Sequence, residues 1–282
     1  MTAAATDWLW DGIFPLLRLE GSGARSFLHG QTSADVLQAA DHRLLRSCWL
    51  TATGRVQALL ELRLDARGAD VLVLSGDPEA LATGFDRVIF PADRVRVLPL
   101  TRQQRLQRLH AAATGSDWEN DVSWCDDASI PTAWQALPRA DAITLERWRL
   151  AFGLPRRAAE LNGETNPLEL GLCEWLSLSK GCYLGQETVA KLAARGGVKQ
   201  KLRHWKLPEA AAGLSIEPGS PLLCNGERAG VITSALQIGE NWQGLALVRR
   251  TALQVPQLQL VDCAVDLQIS VPSGFRELPE PS

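Results

Sequence analysis

The sequence lacks a marked excess of charge of either sign, and it lacks long uncharged apolar runs. Its 29 basic and 32 acidic side chains leave a net charge of -3, which excludes a protein coated in basic residues that holds long nucleic acid. Any nucleic-acid contact must therefore be local. No uncharged apolar run approaches the roughly 20 residues that cross a bilayer, and Met1–Gly12 does not resemble a secretory signal. We expect a soluble cytoplasmic protein that makes no membrane contact.

Common catalytic and metal-binding motifs are also missing. The six cysteines have no CxxC or other tight ligand spacing, and the four histidines form no HxH or HExxH pair. The motifs GxSxG, GxxxxGKS/T and GxGxxG do not occur, which argues against hydrolase, P-loop and dinucleotide-binding activities. We expect no metal site and mostly buried, reduced thiols. Of the six, only Cys182 has neighbours that indicate chemistry.

The first 100 residues read as a sheet that carries two helices. The chain has 282 residues, 46% of them hydrophobic, enough for about two domains. Short apolar segments separated by glycine-containing turns predict antiparallel strands at Phe14–Leu19, Arg46–Leu50, Arg55–Leu64, Asp70–Leu74 and Arg94–Leu100. Helical spacing predicts one helix over Ala24–Val36, and the sequence Asp77-Pro78-Glu79 marks the start of another. The pattern indicates an α+β block.

The middle of the chain is less regular. Gln103–Pro138 shows no clean period and is predicted as surface loops and irregular structure. Ala142–Phe152 predicts a helix that Gly153 stops, and a further helix is predicted over Gln186–Arg195. Beyond Val198 the strands shorten, and turns of the NG, PG and GE type join them. Six strands are predicted, at Lys201–Leu207, Pro221–Cys224, Arg228–Ser234, Gly244–Val248, Gln259–Val261 and Val265–Ile269. Their spacing favours a small antiparallel barrel or sandwich.

One segment, Lys180–Glu187 or KGCYLGQE, combines several features of a functional site. It puts the Cys182 thiol beside a lysine, between two glycines and just before a helix. A helix N-terminus has unpaired N–H groups and a positive dipole end, which lower the pKa of a thiol or hold an anion. The alternative is a buried structural turn, since short glycine-rich turns before helices are common.

A basic stretch follows this turn. Between Thr188 and Pro208 the chain has six cations and no acid: Lys191, Arg195, Lys199, Lys201, Arg203 and Lys206. The stretch is either a solvated basic surface or a docking site for an anion, such as a polyglutamate tail or a phosphate backbone.

Ten tryptophans are many for a chain with one tyrosine. Each is expected mainly in the core. A flat heteroaromatic ligand nevertheless needs aromatic walls, and Phe14, Trp148 and Trp175 lie in segments that adjoin the glycine-rich turns.

The octapeptide KGCYLGQE and the basic stretch resemble the signature of the YgfZ-type folate-binding proteins, which share a superfamily with the aminomethyltransferase of the glycine cleavage system. The resemblance extends along the chain. Phe27–Val36 resembles the family's FLxGQxTxDV segment, Thr53–Val56 its KGR-type turn, and Arg228–Ser234 its C-terminal barrel. It is weakest across Gln103–Pro138.

The resemblance implies a three-domain, aminomethyltransferase-like α+β fold with a C-terminal antiparallel β-barrel. We expect an N-terminal folate-binding region over residues 1–100, a second region carrying the motif over 101–200, and the barrel over 201–282. It also implies tetrahydrofolate as cofactor, a role in iron–sulfur cluster assembly or repair with iron–sulfur client or assembly proteins as partners, and an indirect role in tRNA modification.

The resemblance also separates this chain from the catalytic member. The aminomethyltransferase has a pair of aspartates after the turn that resembles Thr51–Val56, and those two positions are Ala58 and Leu59 here. An apolar pair moves no proton, so glycine cleavage is disfavoured. A glutamate that the family often carries in an RIEAG segment is replaced by Ala151, which leaves its contribution to folate binding or packing open.

We therefore predict a folate-binding accessory protein in which Cys182 is the reactive or sulfur-handling residue. Lys180 is expected to lower the pKa of that thiol, while Gln186 and Glu187 orient the turn, or Glu187 is simply an acid in the first helical turn. The predicted folate-binding residues are Phe14, Trp148, Lys180, Tyr183, Gln186, Glu187, Lys199 and Lys201.

Two alternatives stay open. One is a folate-dependent one-carbon transferase of the aminomethyl type with a relocated acid, for example Asp35, Asp65 or Glu169. The other is an adaptor that binds RNA directly through the stretch Lys191–Lys206.

Overall fold

A computed structural model of the chain describes residues 6–111, 118–125, 130–194, 197–210, 213–261 and 265–277. Arg195 of the basic stretch, Cys263 and parts of the predicted irregular segment lie outside these residues. The described chain forms a seven-stranded antiparallel sheet followed by a closed six-stranded barrel. No helix in the described ranges is long and apolar enough to span a membrane.

The sheet has the strand order β2-β3-β4-β1-β6-β7, with β5 paired to β1. Its strands are β1 (Trp8–Glu20), β2 (Leu45–Leu50), β3 (Val56–Asp65), β4 (Gly68–Ser75), β5 (Arg96–Val97), β6 (Thr101–Leu109) and β7 (Val122–Cys125). The long β1 pairs with β6 over Trp8–Leu16 and with β4 over Leu16–Glu20. Because β6 and β7 join this sheet, it continues beyond residue 100; the division into three domains stays a prediction.

Within the described residues, five α-helices accompany the strands: α1 (Ala24–Gln31), α2 (Pro78–Asp86), α3 (Trp118–Asp121), α4 (Ala142–Phe152) and α5 (Gln186–Ala194). Two helix boundaries are as predicted. The Asp77 side chain accepts hydrogen bonds from Glu79 N at 2.9 Å and Ala80 N at 3.2 Å, which caps α2. Gly153 adopts φ 82° and ends α4, as a glycine in the left-handed region does.

The barrel runs β10-β11-β8-β13-β12-β9. Its strands are β8 (Gln200–Leu207), β9 (Pro221–Cys224), β10 (Glu227–Ile238), β11 (Asn241–Arg249), β12 (Gln257–Leu260) and β13 (Val265–Ser270). All six strands predicted for this region are present, and the barrel, rather than the sandwich, is the correct alternative. The prediction of an α+β fold with a C-terminal antiparallel barrel is confirmed.

Three local predictions are wrong. The first helix ends at Gln31 rather than Val36, because Thr32 is extended and both its N–H and its hydroxyl bond to the Leu28 carbonyl. The strand predicted at residues 94–100 shrinks to the two residues of β5, since Arg94 takes the left-handed conformation at φ 50°. The segment 103–138 contains β6, α3 and β7 instead of loops only. The hydrophobic alternation expected of a strand is missing from β6 because some of its buried residues are polar, including Arg105 and Gln107.

The largest core lies where the sheet, α4 and the barrel meet. One face of β3 packs Leu60 and Leu62 into a separate core with α1 and α2, while the other face turns Leu59 toward this central core. From the barrel side Leu202 and Leu245 complete it. The segments predicted to carry the site therefore converge on one interior.

Candidate functional site

The KGCYLGQE turn lies against the end of α1. Leu184 N donates to the Gly30 carbonyl at 3.0 Å, so the centre of the turn is tied to that helix. Within it Cys182 is exposed, whereas Cys48 and Cys125 are buried. Burial raises the pKa of the Cys48 thiol to about 12. Among the described cysteines, Cys182 is thus the thiol that the fold presents to solvent.

Lys180 does not act on that thiol through a hydrogen bond. Its ammonium donates to the carbonyl oxygens of His29, Thr32 and Ala34, each at 2.6 Å. The three bonds account for all three N–H groups of the ammonium. Burial lowers the pKa of Lys180 to about 8, and the nitrogen lies 4.6 Å from the centre of the Tyr183 ring. Lys180 joins the turn to the C-terminal end of α1.

The other residues of the motif divide into buried and exposed groups. The Gln186 side chain accepts from Tyr183 N and donates to the Lys180 carbonyl, both at 3.3 Å, which is the orienting role expected for it. Tyr183 is buried, and burial raises its pKa to about 12. Glu187 is exposed and pairs with Lys191 one turn along α5, so it fits the alternative of an ordinary acid in the first helical turn.

A second glycine turn packs directly on this one. Gly185 has φ 81° and Gly54 has φ 71°. A Cβ atom on Gly185 would lie 2.4 Å from the Thr51 carbonyl oxygen and 3.0 Å from Gly54 Cα. The two backbones therefore approach as closely as only glycine permits. This contact fixes the KGCYLGQE turn against the turn between β2 and β3.

Phe14 and Trp148 lie in the central core with Tyr183. Phe14 meets Trp10 edge-on at 5.6 Å between ring centroids, and Trp148 stacks on Phe152 at 4.8 Å with 9° between the ring planes. Both predicted aromatic residues are buried. The fold thus brings Phe14 and Trp148 to the same interior as the motif tyrosine.

A buried ion pair in this interior was not found by sequence analysis. Glu61 on β3 accepts from Arg105 Nε at 2.8 Å and Nη2 at 2.7 Å, and both side chains are fully buried. Trp118 Nε1 and Trp124 Nε1 also donate to the carboxylate, at 2.6 and 3.0 Å. Burial opposes ionisation, but the charge of Arg105 and these bonds hold the pKa of Glu61 below its ordinary value. An acid within the apolar run Ala58–Leu62 of β3 was the available signal.

Two guanidinium groups face the same aromatic rings. Arg105 and Arg156 each lie 4.9 Å from the Trp10 ring centre, and 5.8 and 5.7 Å from that of Phe14. Arg105 Nη1 is buried with no hydrogen-bond partner. Burial, with repulsion from Arg149 and Arg105, lowers the pKa of Arg156 to about 10. In the described residues no carboxylate lies within ion-pair distance of Arg156. The interior therefore offers unused donors beside aromatic faces.

The basic stretch is not one surface. Lys201 pairs with Glu277 at 2.8 Å, Arg203 is buried 5.2 Å from the Phe275 ring centre, and Lys206 lines a groove beside Trp242. Lys199 lines a different cleft. On β8, alternation puts Lys201 and Arg203 on one face and Lys206 on the other, while Lys199 precedes the strand. The two predicted anion-binding lysines, Lys199 and Lys201, therefore have different surroundings.

The three acids proposed as relocated catalytic groups lie apart in the fold. Two hydrogen bonds from Arg18, at 2.7 and 2.9 Å, lower the pKa of Asp65 to about 2. Asp35 lies 3.5 Å from His29 Nδ1. Burial raises the pKa of Glu169, which accepts from Asn166 N. In the described part of the chain, no group of three His, Cys, Asp or Glu side chains is arranged to hold a metal.

Comparison with known proteins gives a consistent assignment. No protein-family model matches the chain. It is 25% identical over 286 residues to "Putative transferase At1g60990, chloroplastic" of Arabidopsis thaliana, which aligns with 86% of this chain; the chain covers 65% of that relative's length, less than two thirds. It is 26% identical over 288 residues to the tRNA-modifying protein YgfZ of Escherichia fergusonii, covering 90% of this chain and 82% of the relative.

The fold comparison agrees. The glycine cleavage system aminomethyltransferase T from Bartonella henselae superposes with a TM-score of 0.72 at 16% identity, over 98% of this chain and 88% of that one. The aminomethyltransferase-like fold expected from the resemblance is thereby confirmed. The chain is therefore similar in sequence to YgfZ proteins along nine tenths of its length, and its fold is aminomethyltransferase-like.

Proposed function

We propose that this protein binds tetrahydrofolate and supports iron–sulfur cluster assembly or repair and, through it, tRNA modification. The observation that carries the proposal is the buried Arg105 Nη1, which has no partner and lies among aromatic rings. A buried N–H without an acceptor is costly, and a pterin supplies both a flat face for aromatic walls and carbonyl and ring-nitrogen acceptors. Arg156 contributes a second donor beside the same rings.

Residues of the chain take separate roles in this proposal. Trp10 and Phe14 form the aromatic wall, Arg105 and Arg156 donate to the ring acceptors, and Trp148 closes the interior through its stack on Phe152. When bound, tetrahydrofolate supplies a carrier of one-carbon groups. A contact of Lys199 and Lys201 with its glutamate tail stays a prediction, and Lys201 is already paired with Glu277.

We favour folate binding over aminomethyl transfer because, among the described residues that face the interior, no acid is free to transfer a proton. Ala58 and Leu59 occupy the positions of the catalytic aspartates. Glu61, two residues further on the same strand, accepts four hydrogen bonds, so its carboxylate oxygens are occupied. A group held ionised in this way does not donate a proton.

The first test is calorimetric titration with tetrahydrofolate and its 5-formyl form. We expect saturable binding that Arg156→Gln weakens about 10- to 100-fold, the value of one hydrogen bond from a charged donor. Arg157→Gln is the matched control, since Arg157 is exposed and pairs with Glu146 at 3.2 Å. Absence of binding at millimolar ligand, or equal binding by the Arg156 variant, contradicts the folate site. Turnover of a methylene or aminomethyl donor with free folate identifies the one-carbon transferase instead.

The second test addresses Cys182. In a bacterium that lacks its own YgfZ-type protein, the wild-type chain is expected to restore a tRNA modification made by an iron–sulfur enzyme, and Cys182→Ala is expected to fail. Because Cys182 is exposed, the variant is expected to keep the wild-type melting temperature. If a folded Cys182→Ala protein fully restores the tRNA modification, the KGCYLGQE motif has a structural role only.

A further inference from the structure

A second site lies outside the aromatic interior, where the β2–β3 turn, the loop 162–165 and the facing ends of β8 and β11 meet. These segments enclose a cleft of about 760 Å³. Its charged lining consists of four cations, Arg55, Lys199, Arg249 and Arg250, and two acids, Glu164 and Glu169. We call it the basic cleft.

The four cations of the basic cleft outnumber its two acids, and most of them form no ion pair with a described residue. Among the described residues, no carboxylate lies within 4 Å of Lys199, Arg249 or Arg250, and Arg55 is 3.9 Å from Glu169. Two other cations of the basic stretch have an acid each: Lys191 pairs with Glu187 and Lys201 with Glu277. In a chain of net charge -3, unpaired cations gathered in one cleft indicate an anionic ligand.

Regular backbone structure holds these cations in place. Arg250 N donates to the Lys199 carbonyl at 2.9 Å, which continues the β8–β11 ladder and sets the two residues opposite each other. A Cβ atom on Gly197 would lie 2.8 Å from Arg250 Nη1, so a glycine leaves room for the guanidinium. The barrel end therefore fixes the backbone positions of these cations before an anion binds.

The basic cleft is separate from the proposed folate interior. None of the proposed folate-binding side chains Trp10, Phe14, Arg105 and Arg156 lines the cleft. The loop that does line it is held by two hydrogen bonds: Val56 N donates to the Thr165 carbonyl at 2.9 Å, and the Thr165 hydroxyl donates to the Glu160 carbonyl at 2.6 Å. Thr165 and Glu160 are fully buried. A ligand in the cleft therefore need not be the tail of a ligand in the interior.

The chemistry of the basic cleft fits phosphate groups on a flexible strand. Three of its four cations are arginines, whose planar forks bind phosphate in two-bond fashion and stack on unpaired bases. Thr53, Thr251 and Asn162 add neutral groups for sugar and phosphate oxygens. A lipid surface needs exposed apolar neighbours, and the exposed large hydrophobic residues of the described chain lie outside this lining. We propose that the basic cleft binds the phosphate backbone of a single-stranded RNA segment.

Fluorescence anisotropy with a labelled 12-residue single-stranded oligoribonucleotide tests the proposal. If three cations each meet one phosphate, the logarithm of the association constant falls with the logarithm of salt concentration with a slope of about -2. The double variant Arg249→Gln/Arg250→Gln is expected to reduce the slope to about -0.7 and the affinity at low salt by about tenfold or more. Lys191→Gln/Lys206→Gln makes the same charge change elsewhere and is expected to keep the wild-type slope.

Three results overturn the proposal. They are no saturable RNA binding at low salt, equal weakening by both double variants, and displacement of the RNA by penta-γ-glutamate at matched charge concentration, which assigns the cleft to carboxylates. Tetrahydrofolate binding is measured on the same variants by calorimetry and is expected to be unchanged. Failure of RNA binding and failure of folate binding are then separate observations.

Discussion

Arg105 and Glu61 form a two-bond ion pair at the centre of the protein, with both side chains at zero exposure. The pair joins β3 to β6, which are not neighbours in the sheet, and Trp118 and Trp124 donate to the same carboxylate. The charges sit in a low-dielectric interior, so each depends on the other. One donor of Arg105 remains unused beside the aromatic rings.

Removing the negative charge of this pair is expected to be costly. Glu61→Gln leaves the Arg105 guanidinium buried without a counter-charge, which lowers the free energy of unfolding by about 3–5 kcal/mol. Urea denaturation at pH 7 measures the loss. The control is Glu20→Gln, whose partner Arg96 is 73% exposed, and its cost is about 0–1 kcal/mol. Equal small effects of the two substitutions contradict the role of the buried pair.

Lys180 is expected to stabilise the protein rather than to activate Cys182. Lys180→Met removes three hydrogen bonds and leaves carbonyls of His29, Thr32 and Ala34 without this donor, which lowers the free energy of unfolding by about 2–4 kcal/mol. Lys191→Met, at an exposed helical ion pair, is expected to cost less than about 0.5 kcal/mol. Chemical denaturation of both variants measures the difference. If Lys180→Met has the same free energy of unfolding as the wild type, the ammonium does not stabilise the protein.

The contact between the two glycine turns predicts a steric difference between two similar substitutions. Gly185 and Gly163 have φ of 81° and 75°, so alanine is strained at both. At Gly163 nothing lies within 4 Å of the new Cβ, whereas at Gly185 the Thr51 carbonyl oxygen lies at 2.4 Å. Gly163→Ala is expected to cost about 1 kcal/mol, and Gly185→Ala a further 1–3 kcal/mol from overpacking. Thermal unfolding of the two variants measures both losses of stability. Equal losses would contradict a close contact between the two glycine turns.

Because His204 is buried, we expect the protein to lose stability in mild acid. Burial lowers its pKa to about 4 from the ordinary 6.5, so the unfolded chain binds a proton between these values that the folded chain does not. Stability is therefore fully present above pH 6.5 and falls by about 3 kcal/mol as the pH drops toward 4. Urea unfolding between pH 4.5 and 7 measures the slope.

A substitution isolates this effect from that of other groups. His204→Phe removes the titration and is expected to reduce the slope in that range, whereas the exposed His42→Gln keeps it. Glu61 acts in a lower window: its pKa is lowered by Arg105 in the folded state, so its contribution persists above about pH 4.5 and is lost below it. A wild-type slope in His204→Phe contradicts the assignment.

Local sequence predicted those parts of the fold that depend on local rules. The alternation and turns beyond Val198 predicted all six barrel strands, because a strand with one buried face shows a period of two. The Asp77 cap and the Gly153 stop were visible for the same reason, since each works within a few residues. The strand β6 was missed because Arg105 and Gln107 occupy buried positions, and a buried arginine breaks the apolar pattern until its partner is known.

The sequence by itself determined the resemblance to YgfZ-type proteins, the α+β fold with its barrel, and the turn that carries Cys182, because motif spacing and hydrophobic period are local properties of the chain. Only the tertiary structure decided what the charges do. It bonded Lys180 to carbonyls at and just beyond the end of α1 and paired Glu61 with Arg105. It also brought Arg55, Lys199 and Arg250 to one cleft. The physical reason is that an ion's effect depends on distance and burial, and residues far apart in the sequence meet only when the chain folds.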